Sequence, residues 1–382
     1  MRLQVRVPKV EPDVYELPET CPYECGSVHF RSHGIKGERK PLRDFRYDEV
    51  VSYRYQCVRC GRTFRIYPKG VSKGAQQSDR LRAMTVLLYI LGLSYGAVED
   101  FVVAMGCSLS KTSVYNNVQA AGVAARTQLQ STVASGGPRA VIGADGTYVK
   151  VKGQTVNLEV VVDDTTGELL GLDIISSEKY EEIINVIRAV IAEVEPEVLV
   201  SDDHGSYNEV VDEEGLDHQI CCSHMKRNTD QLGDSIDQHL DRAEPLPEGV
   251  ELSPDQVRTD LEQMKHLVRE RPSDGEEQLA KMYQRYKKIP KPKAGNKHSV
   301  WYRTRMMVTR LWTRWRCLTL DQRREDMDGT NNSCERLIGW WIKERYRSMR
   351  GYKREESIRN VATLTALIGA YSGEFDMASL IA

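Results

Sequence analysis

Two sets of side chains in this sequence have types and spacing suited to chemistry: cysteines in close pairs, and carboxylates delivered by apolar runs. Cys21 and Cys25 make one knuckle and Cys57 and Cys60 another, with 31 residues between them. Zinc takes four tetrahedral ligands, and each close pair supplies two thiolates from a tight turn. Nine cysteines in 382 residues, four of them paired this way, suit metal binding better than a disulfide framework. The first knuckle has three intervening residues where two are commoner, and four reduced thiols in a small core are the plain alternative. Among the acids, Asp145 follows the apolar run 141–144 and precedes an alternating stretch, 148–152. That pattern predicts a buried strand delivering one acid to its end, then a hairpin strand. Apolar surroundings disfavour an ionised Asp unless it is paired or binds a metal, yet Asp-Gly is also ordinary turn chemistry. What matters is whether other acids converge on it. Asp202 follows the all-apolar 198–200, and Glu335 falls in the first turn of a helical run, 333–346, near the face of Ile338, Gly339 and Ile342. Surface charge is the bland reading of such scattered acids.

The elements that must position these groups follow from periodicity. Residues 61–67 alternate like a strand leaving the second knuckle, so 1–72 resemble a zinc ribbon, made basic by Arg54, Arg59, Arg62 and Arg65. In 73–137, Ser78-Asp79 caps a helix in which Leu81, Met84, Leu87, Leu88 and Leu91 recur at helical spacing. Gly92 ends it, Ser94 starts a second helix, and Met105-Gly106-Cys107 turns the chain into a third, 111–121. Helix, glycine-containing turn, then a helix opening with Ser, Lys and Thr is the pattern of a helix-turn-helix. It places Ser110, Lys111, Ser113, Tyr115 and Asn116 to reach base edges or phosphates; ordinary three-helix packing is the alternative. Residues 120–137 grade through small and polar residues into a Gly-Gly-Pro linker.

The stretch 138–226 alternates strands and helices. Runs 156–163 and 169–175 join the first strand in an antiparallel set, with 164–167 as the turn. Residues 180–194 form a helix with Ile183, Ile184, Ile187 and Ile191 inward, and 198–200 reads as a central parallel strand. A short helix, 207–213, and a fifth strand, 219–224, complete the order βββαβαβ. With an acid on the first strand and another after the fourth, this α/β order resembles the RNase H-like fold.

Asp202 and Glu335 lie 133 residues apart, far more than one helix and loop require. Residues 227–326 therefore read as a mainly helical insertion, with helices at 228–243, 254–270 and 275–288, and 327–382 as the final helices of the core, closing with 357–370. Net charge is near zero but uneven: 158–217 holds eighteen Asp/Glu against two Lys/Arg, while 281–316 holds twelve Lys/Arg and no acid. Such asymmetry predicts a polyanionic partner at the basic segment. There Arg303, Arg305, Arg310, Arg314 and Arg316 interleave with Trp301, Trp312 and Trp315. Arginine contacts phosphate and exposed rings stack on unpaired bases, unless the Trp are core and the Arg face merely solvated. Lys343, Arg345, Arg347, Arg350, Lys353 and Arg354 extend the basic surface, with core packing expected for Trp340 and Trp341. Repeated phosphate contacts make binding strongly salt-dependent. No apolar run approaches roughly eighteen residues and the N-terminus has no basic-then-apolar leader, which predicts a soluble, cytoplasmic, nucleoid-associated protein.

Three blocks then carry a resemblance: GADGTYVKVKG, LVSDDHGSY and TNNSCERLIGWWIKERYRSMRGY are similar to the signature blocks of DDE-type transposases of prokaryotic insertion sequences. Aligned on Ser-Asp-x-x-x-x-Tyr, the second family acid matches Asp202 and not Asp203, and Thr-Asn-Asn-x-x-Glu places the third at Glu335. Cys221-Cys222-Ser223-His224, followed by Arg227-Asn228, resembles the Cys-x-x-His element of mutator-like members. The resemblance covers most of 139–225 and 327–355. It implies an RNase H-like mixed sheet with a helical insertion, preceded by end-recognition domains, and a DNA transposase that cuts and joins DNA. Two Mg²⁺ or Mn²⁺ about 4 Å apart would be held by Asp145, bridging, with Asp202 on one and Glu335 on the other. One structural Zn²⁺ is expected at Cys21, Cys25, Cys57 and Cys60. Asp203, His204, Cys221, His224 and Asn332 are candidates for tuning the site, although Cys221 and His224 alone make a poor zinc site. Three adjacent carboxylates should raise at least one pKa. The implied partners are double-stranded DNA, as element terminal repeats and target, and further copies in a homodimer or higher synaptic oligomer. The rivals are a domesticated, non-catalytic DNA-binding regulator and an RNase H-like nuclease without strand transfer; the two N-terminal modules argue against the latter.

Overall fold

Apolar runs rich in Val, Ile and Leu set the central sheet. The computed structural model describes residues 3–34, 37–175, 180–246, 248–292, 298–349 and 351–381, so Arg350 of the expected basic surface lies outside them. Contacts divide the chain into two units: Met1–Ser135 with Tyr148–Val156 and Leu337–Ala382, and Gly136–Thr147 with Asn157–Arg336.

In the first unit, strands Phe30–Ser32, Glu38–Pro41 and Thr63–Ile66 each pair antiparallel with Glu49–Cys57. Helices α1 (Asp79–Ile90), α2 (Tyr95–Ala104) and α3 (Lys111–Ser135) follow. Ser78 Oγ accepts the Leu81 N–H at 3.0 Å and Ser94 Oγ the Ala97 N–H at 3.1 Å, satisfying two of the donors a helix start leaves free. Ser78 Oγ also donates to Asp44 (2.5 Å), which Arg80 grips as well, tying the strands to α1. The third helix is longer than the sequence reading had it. It runs on through 122–135, where small residues suggested a linker, and buries Ala121, Ala125, Leu129 and Val133 at four-residue steps. Small residues are what its neighbour requires: a Cβ at Gly122 would lie 2.5 Å from Asn360 Cβ on the helix Glu355–Ala370.

The sheet has five strands, β1 (Val141–Val151), β2 (Gln154–Asp163), β3 (Leu169–Ile175), β4 (Val198–Ser201) and β5 (Asp217–Ile220). Their order is β3-β2-β1-β4-β5, with β2 and β3 antiparallel and β4 parallel to both β1 and β5. Helix α4 (Tyr180–Val194) links β3 to β4, and α5 (Gly205–Glu214) links β4 to β5. One expectation is corrected here. Asp145-Gly146 makes no turn: β1 is a single strand, and the chain reverses at Lys152-Gly153, whose φ values of 49° and 84° suit a tight two-residue hairpin. Asp145 is therefore mid-strand.

A second correction bears on the site. The stretch 219–224 is not all strand; β5 stops at Ile220 and α6 (Cys222–Leu240) begins two residues later. Cys221 thus caps a helix, and His224 sits in its first turn. Helices α7 (Pro254–Glu270), α8 (Gly275–Tyr286), α9 (Val300–Thr313) and α10 (Trp315–Leu318) complete the insertion. They pack through Ile236, Leu240, Leu261, Met264, Met282 and Val308. Trp301 and Trp315 are buried in this cluster, Trp301 Nε1 donating to Glu244 O at 2.7 Å, and Trp312 stacks on Tyr283. These rings pack the helices and are not free to stack on bases. Helix α11 (Asn332–Leu337) follows and continues as a π-helical turn, Ile338–Lys343. Among the described residues no helix is long and apolar enough to cross a membrane.

Candidate active site and metal ligands

Parallel pairing brings the first two acids near each other. Val141, Ile142 and Gly143 pair with Val198, Leu199 and Val200, so the same register carried two residues on sets Asp145 beside the end of β4, where Asp202 follows, close enough for its charge to raise Asp145. Neighbouring strands lie about 4.8 Å apart, within reach of a shared cation. β4 ends at Ser201, and Asp202 Oδ1 accepts the His204 N–H at 3.1 Å. The third acid is placed by three hydrogen bonds that seat the start of α11 on the sheet. Asn331 Nδ2 donates to Ala144 O (2.8 Å), Ser333 Oγ to Asp164 O (2.9 Å) and Cys334 Sγ to Val160 O (3.5 Å). Glu335 is the next residue. Gly143 makes the approach possible, since a Cβ there would lie 2.6 Å from Asn331 Oδ1.

Burial pushes the Asp145 carboxyl up to about 6, His224 opposing and the charges of Asp202 and Glu335 adding to the rise. Asp202 is raised too, again chiefly by burial. The repulsion expected between the acids exists but is second to desolvation. Glu335 Oε1 is buried and accepts no hydrogen bond, with His224 Nε2 at 3.5 Å. A carboxylate oxygen in that state is costly unless a cation meets it; protonated His224 is one such cation, and an all-oxygen set from three acids would suit Mg²⁺ or Mn²⁺ as another. His224 itself is raised to about 9, first by its bond to Cys221 and then, after the opposing effect of burial, by the charges of Cys221, Glu335 and Asp145.

Several neighbours differ from the sequence reading. Asn332 is exposed, and Asn331 is the residue that turns inward. Asp203 points away, held by Arg310, by Arg314 (3.5 Å) and by Asn208 Nδ2 (3.3 Å). His204 caps α5, its Nδ1 accepting the Ser206 N–H. Glu159 was not singled out, yet it is fully buried on β2 and accepts the Tyr207 hydroxyl at 2.8 Å. The signal was an acid inside an otherwise apolar strand, 158–162.

Of the residues expected at DNA, Lys111 and Asn116 are exposed at the start of α3. Ser110 Oγ accepts the Ser113 N–H (3.2 Å) as a cap, and Tyr115 packs edge-on to Tyr95 with its hydroxyl 3.4 Å from Ser357 Oγ. Arg345 is a correction: it is buried, with its guanidinium 3.9 Å above the Tyr89 ring and donating to Leu93 O, so it binds its own chain. Arg303 donates to Ser235 Oγ and Arg305 to Ile289 O, whereas Arg316 and Arg347 are exposed and paired with Glu276 and Glu344. Lys343 is partly exposed.

In the other cluster all four sulfurs of Cys21, Cys25, Cys57 and Cys60 lie within 4.8 Å of one another, Cys21–Cys60 at 3.7 Å and Cys25–Cys57 at 3.5 Å. A tetrahedral zinc with Zn–S near 2.3 Å keeps its sulfurs about 3.8 Å apart. The backbone N–H of Cys60 leads in pulling the Cys57 thiol down to about 6, while burial pushes Cys21 up to about 11, so the spacing of the sulfurs and not their acidity is what fits zinc.

A βββαβαβ chain in sheet order 3-2-1-4-5, with one acid on the central strand and another just past the end of its parallel neighbour, is an RNase H-like core. A model of the family described as "Transposase IS66 family" matches residues 74–349, and the chain belongs to that family. No curated protein matches it. Among solved structures, the HTLV-2 integrase catalytic core domain in complex with magnesium (dimeric form) is similar at 18% identity. That match covers 32% of this chain and 83% of that one, with a TM-score of 0.20. The simian T-cell lymphotropic virus intasome in complex with PP2A regulatory subunit B56 gamma is 16% identical over 42% of this chain and 60% of that one, with a TM-score of 0.21. Scores this low add nothing to what the sheet order and the family establish.

Proposed function

We propose that this transposase binds the ends of its element and cleaves and joins DNA with Asp145, Asp202 and Glu335. The observation that supports the reading is their convergence: one acid within β1, a second just past the end of the adjacent parallel β4, and a third on a helix fastened beside them by Asn331. These three residues would hold two Mg²⁺ or Mn²⁺. When bound, such ions supply a nucleophile at neutral pH and stabilise the leaving oxygen of an in-line displacement. The chain's own part is to fix three carboxylates on rigid elements and to keep them partly desolvated so that their affinity for cations is high; no covalent protein nucleophile is needed. Cys21, Cys25, Cys57 and Cys60 would hold one structural Zn²⁺. Contact with DNA is assigned to α3 as a recognition helix, through Lys111 and Asn116, to the exposed cations Arg310, Arg316 and Arg347, and to the partly exposed Lys343. Pairing of two ends calls for a dimer or larger assembly.

The test is end-labelled terminal-repeat DNA incubated with the protein and Mg²⁺, scored for nicking, double cleavage and strand transfer. Asp145→Asn, Asp202→Asn and Glu335→Gln are each expected to lower cleavage by about three orders of magnitude or more while DNA binding persists. Full cleavage by Asp145→Asn would sink the assignment. Binding without any cleavage would point to a domesticated regulator, and cleavage without joining to a nuclease.

A further inference from the structure

The three-acid site leaves one adjoining cluster unexplained. Cys221 Sγ, a ring nitrogen of His224 and a carboxylate oxygen of Glu335 all lie within 4.8 Å of one another. Cys221 caps α6 and His224 follows three residues later, a step that puts both side chains on one side of the helix start. Cys221 is fully buried, and its sulfur accepts the Asn331 N–H at 3.4 Å. His224 Nε2 is 3.5 Å from Glu335 Oε1, a buried oxygen that accepts no hydrogen bond. A tetrahedral ion with ligands at about 2.0–2.3 Å keeps its ligand atoms about 3.3–3.8 Å apart; the His224–Glu335 separation falls in that range, and Cys221 Sγ lies within 4.8 Å of both. One thiolate, one imidazole and one carboxylate form a soft donor set, suited to Zn²⁺ or Co²⁺ and poorly to Mg²⁺.

We propose that Cys221, His224 and Glu335 form a binding site for one soft divalent cation of the Zn²⁺ class, with its fourth position open to water. Glu335 then belongs to two sets, and a soft ion competes for a carboxylate that the hard cations use. Zn²⁺ therefore opposes Mg²⁺-supported cleavage. This consequence rests on Glu335 being a reacting-site acid; the binding itself does not.

The experiment is a Co²⁺ titration of the metal-free full-length protein in excess Mg²⁺, followed by visible and near-ultraviolet absorption. His224→Gln and Cys221→Ser are each expected to bind one equivalent fewer than the unsubstituted protein. Cys221→Ser should also lose one thiolate-to-cobalt contribution. Glu335→Gln should weaken the same equivalent about tenfold or more. Matching melting curves establish that each variant is folded, and the partly exposed His224 is the gentler site to change. Unchanged cobalt stoichiometry and spectra in both His224→Gln and Cys221→Ser overturn the proposal. The cleavage reading fails separately, through an active Asp145→Asn.

Discussion

Single atoms decide how close the helix bearing Glu335 comes to the sheet. Gly143 is a position where one methyl group collides with Asn331 Oδ1, the side chain that holds Ala144 O. Gly143→Ala is expected to cost about 1–3 kcal/mol by overpacking and to lower cleavage more than stability, because the shift falls on the helix bearing Glu335. Melting curves and cleavage rates on the same preparation check this. Asp164 makes a pH prediction. Burial pushes its carboxyl up to about 7, and its Oδ1 is buried without a hydrogen bond. A folded-state value above the unfolded one means the folded chain holds the proton longer. The stability is fully present below about pH 4 and is lost as pH rises through 7. Asp164→Asn should raise the melting temperature at pH 8 and leave it unchanged at pH 4; an equal effect at both would contradict the assignment. Asp145 and Asp202 were legible in the sequence because apolar runs lead into them. Asn331 was not, because it and Asn332 are adjacent and only packing decides which turns in.

At the scale of elements, the strands were readable wherever burial on both faces left an unbroken apolar run. Their joints were less so. Asp145-Gly146 has the composition of a turn but lies within a strand, since a two-residue hairpin at the end of the alternation, Lys152-Gly153, makes the reversal. The end of α3 was hidden for the opposite reason: Ala, Gly and Ser there serve close packing against Glu355–Ala370, and small residues also spell linkers. Arg345 looked like surface charge because burial of an arginine over a tyrosine ring leaves no mark in spacing. The four-cysteine cluster was the most legible feature of all, its ligands declared by type and interval. Chelation or Cys57→Ser is expected to release about one equivalent of zinc per chain and to open residues 18–70 to protease. Mass spectrometry of the fragments would locate the cuts, and protection there equal to the untreated protein would argue for a core of reduced thiols.

Over the whole molecule, charge balance conceals the partner. The overall charge is −2, yet the exposed cations proposed at DNA are drawn from several regions of the chain. Affinity for terminal-repeat DNA should fall linearly with the logarithm of salt concentration, and Lys111→Ala should reduce that slope by about one. A slope unchanged by the substitution would remove Lys111 from the interface. The chain passes between its two units four times, at residues 135, 147, 156 and 336, so neither unit is one continuous segment. That routing could not be foreseen from motifs, which follow one another in tidy order. The seating of Glu335 has a further consequence, in time and not in space. A chain emerging from the ribosome carries Asp145 and Asp202 long before Glu335, 133 residues later, and Asn331 arrives with it. Until then two acids face each other without the third. On the function proposed above, a chain not yet extended to Glu335 lacks the third acid and does not cut the DNA around it.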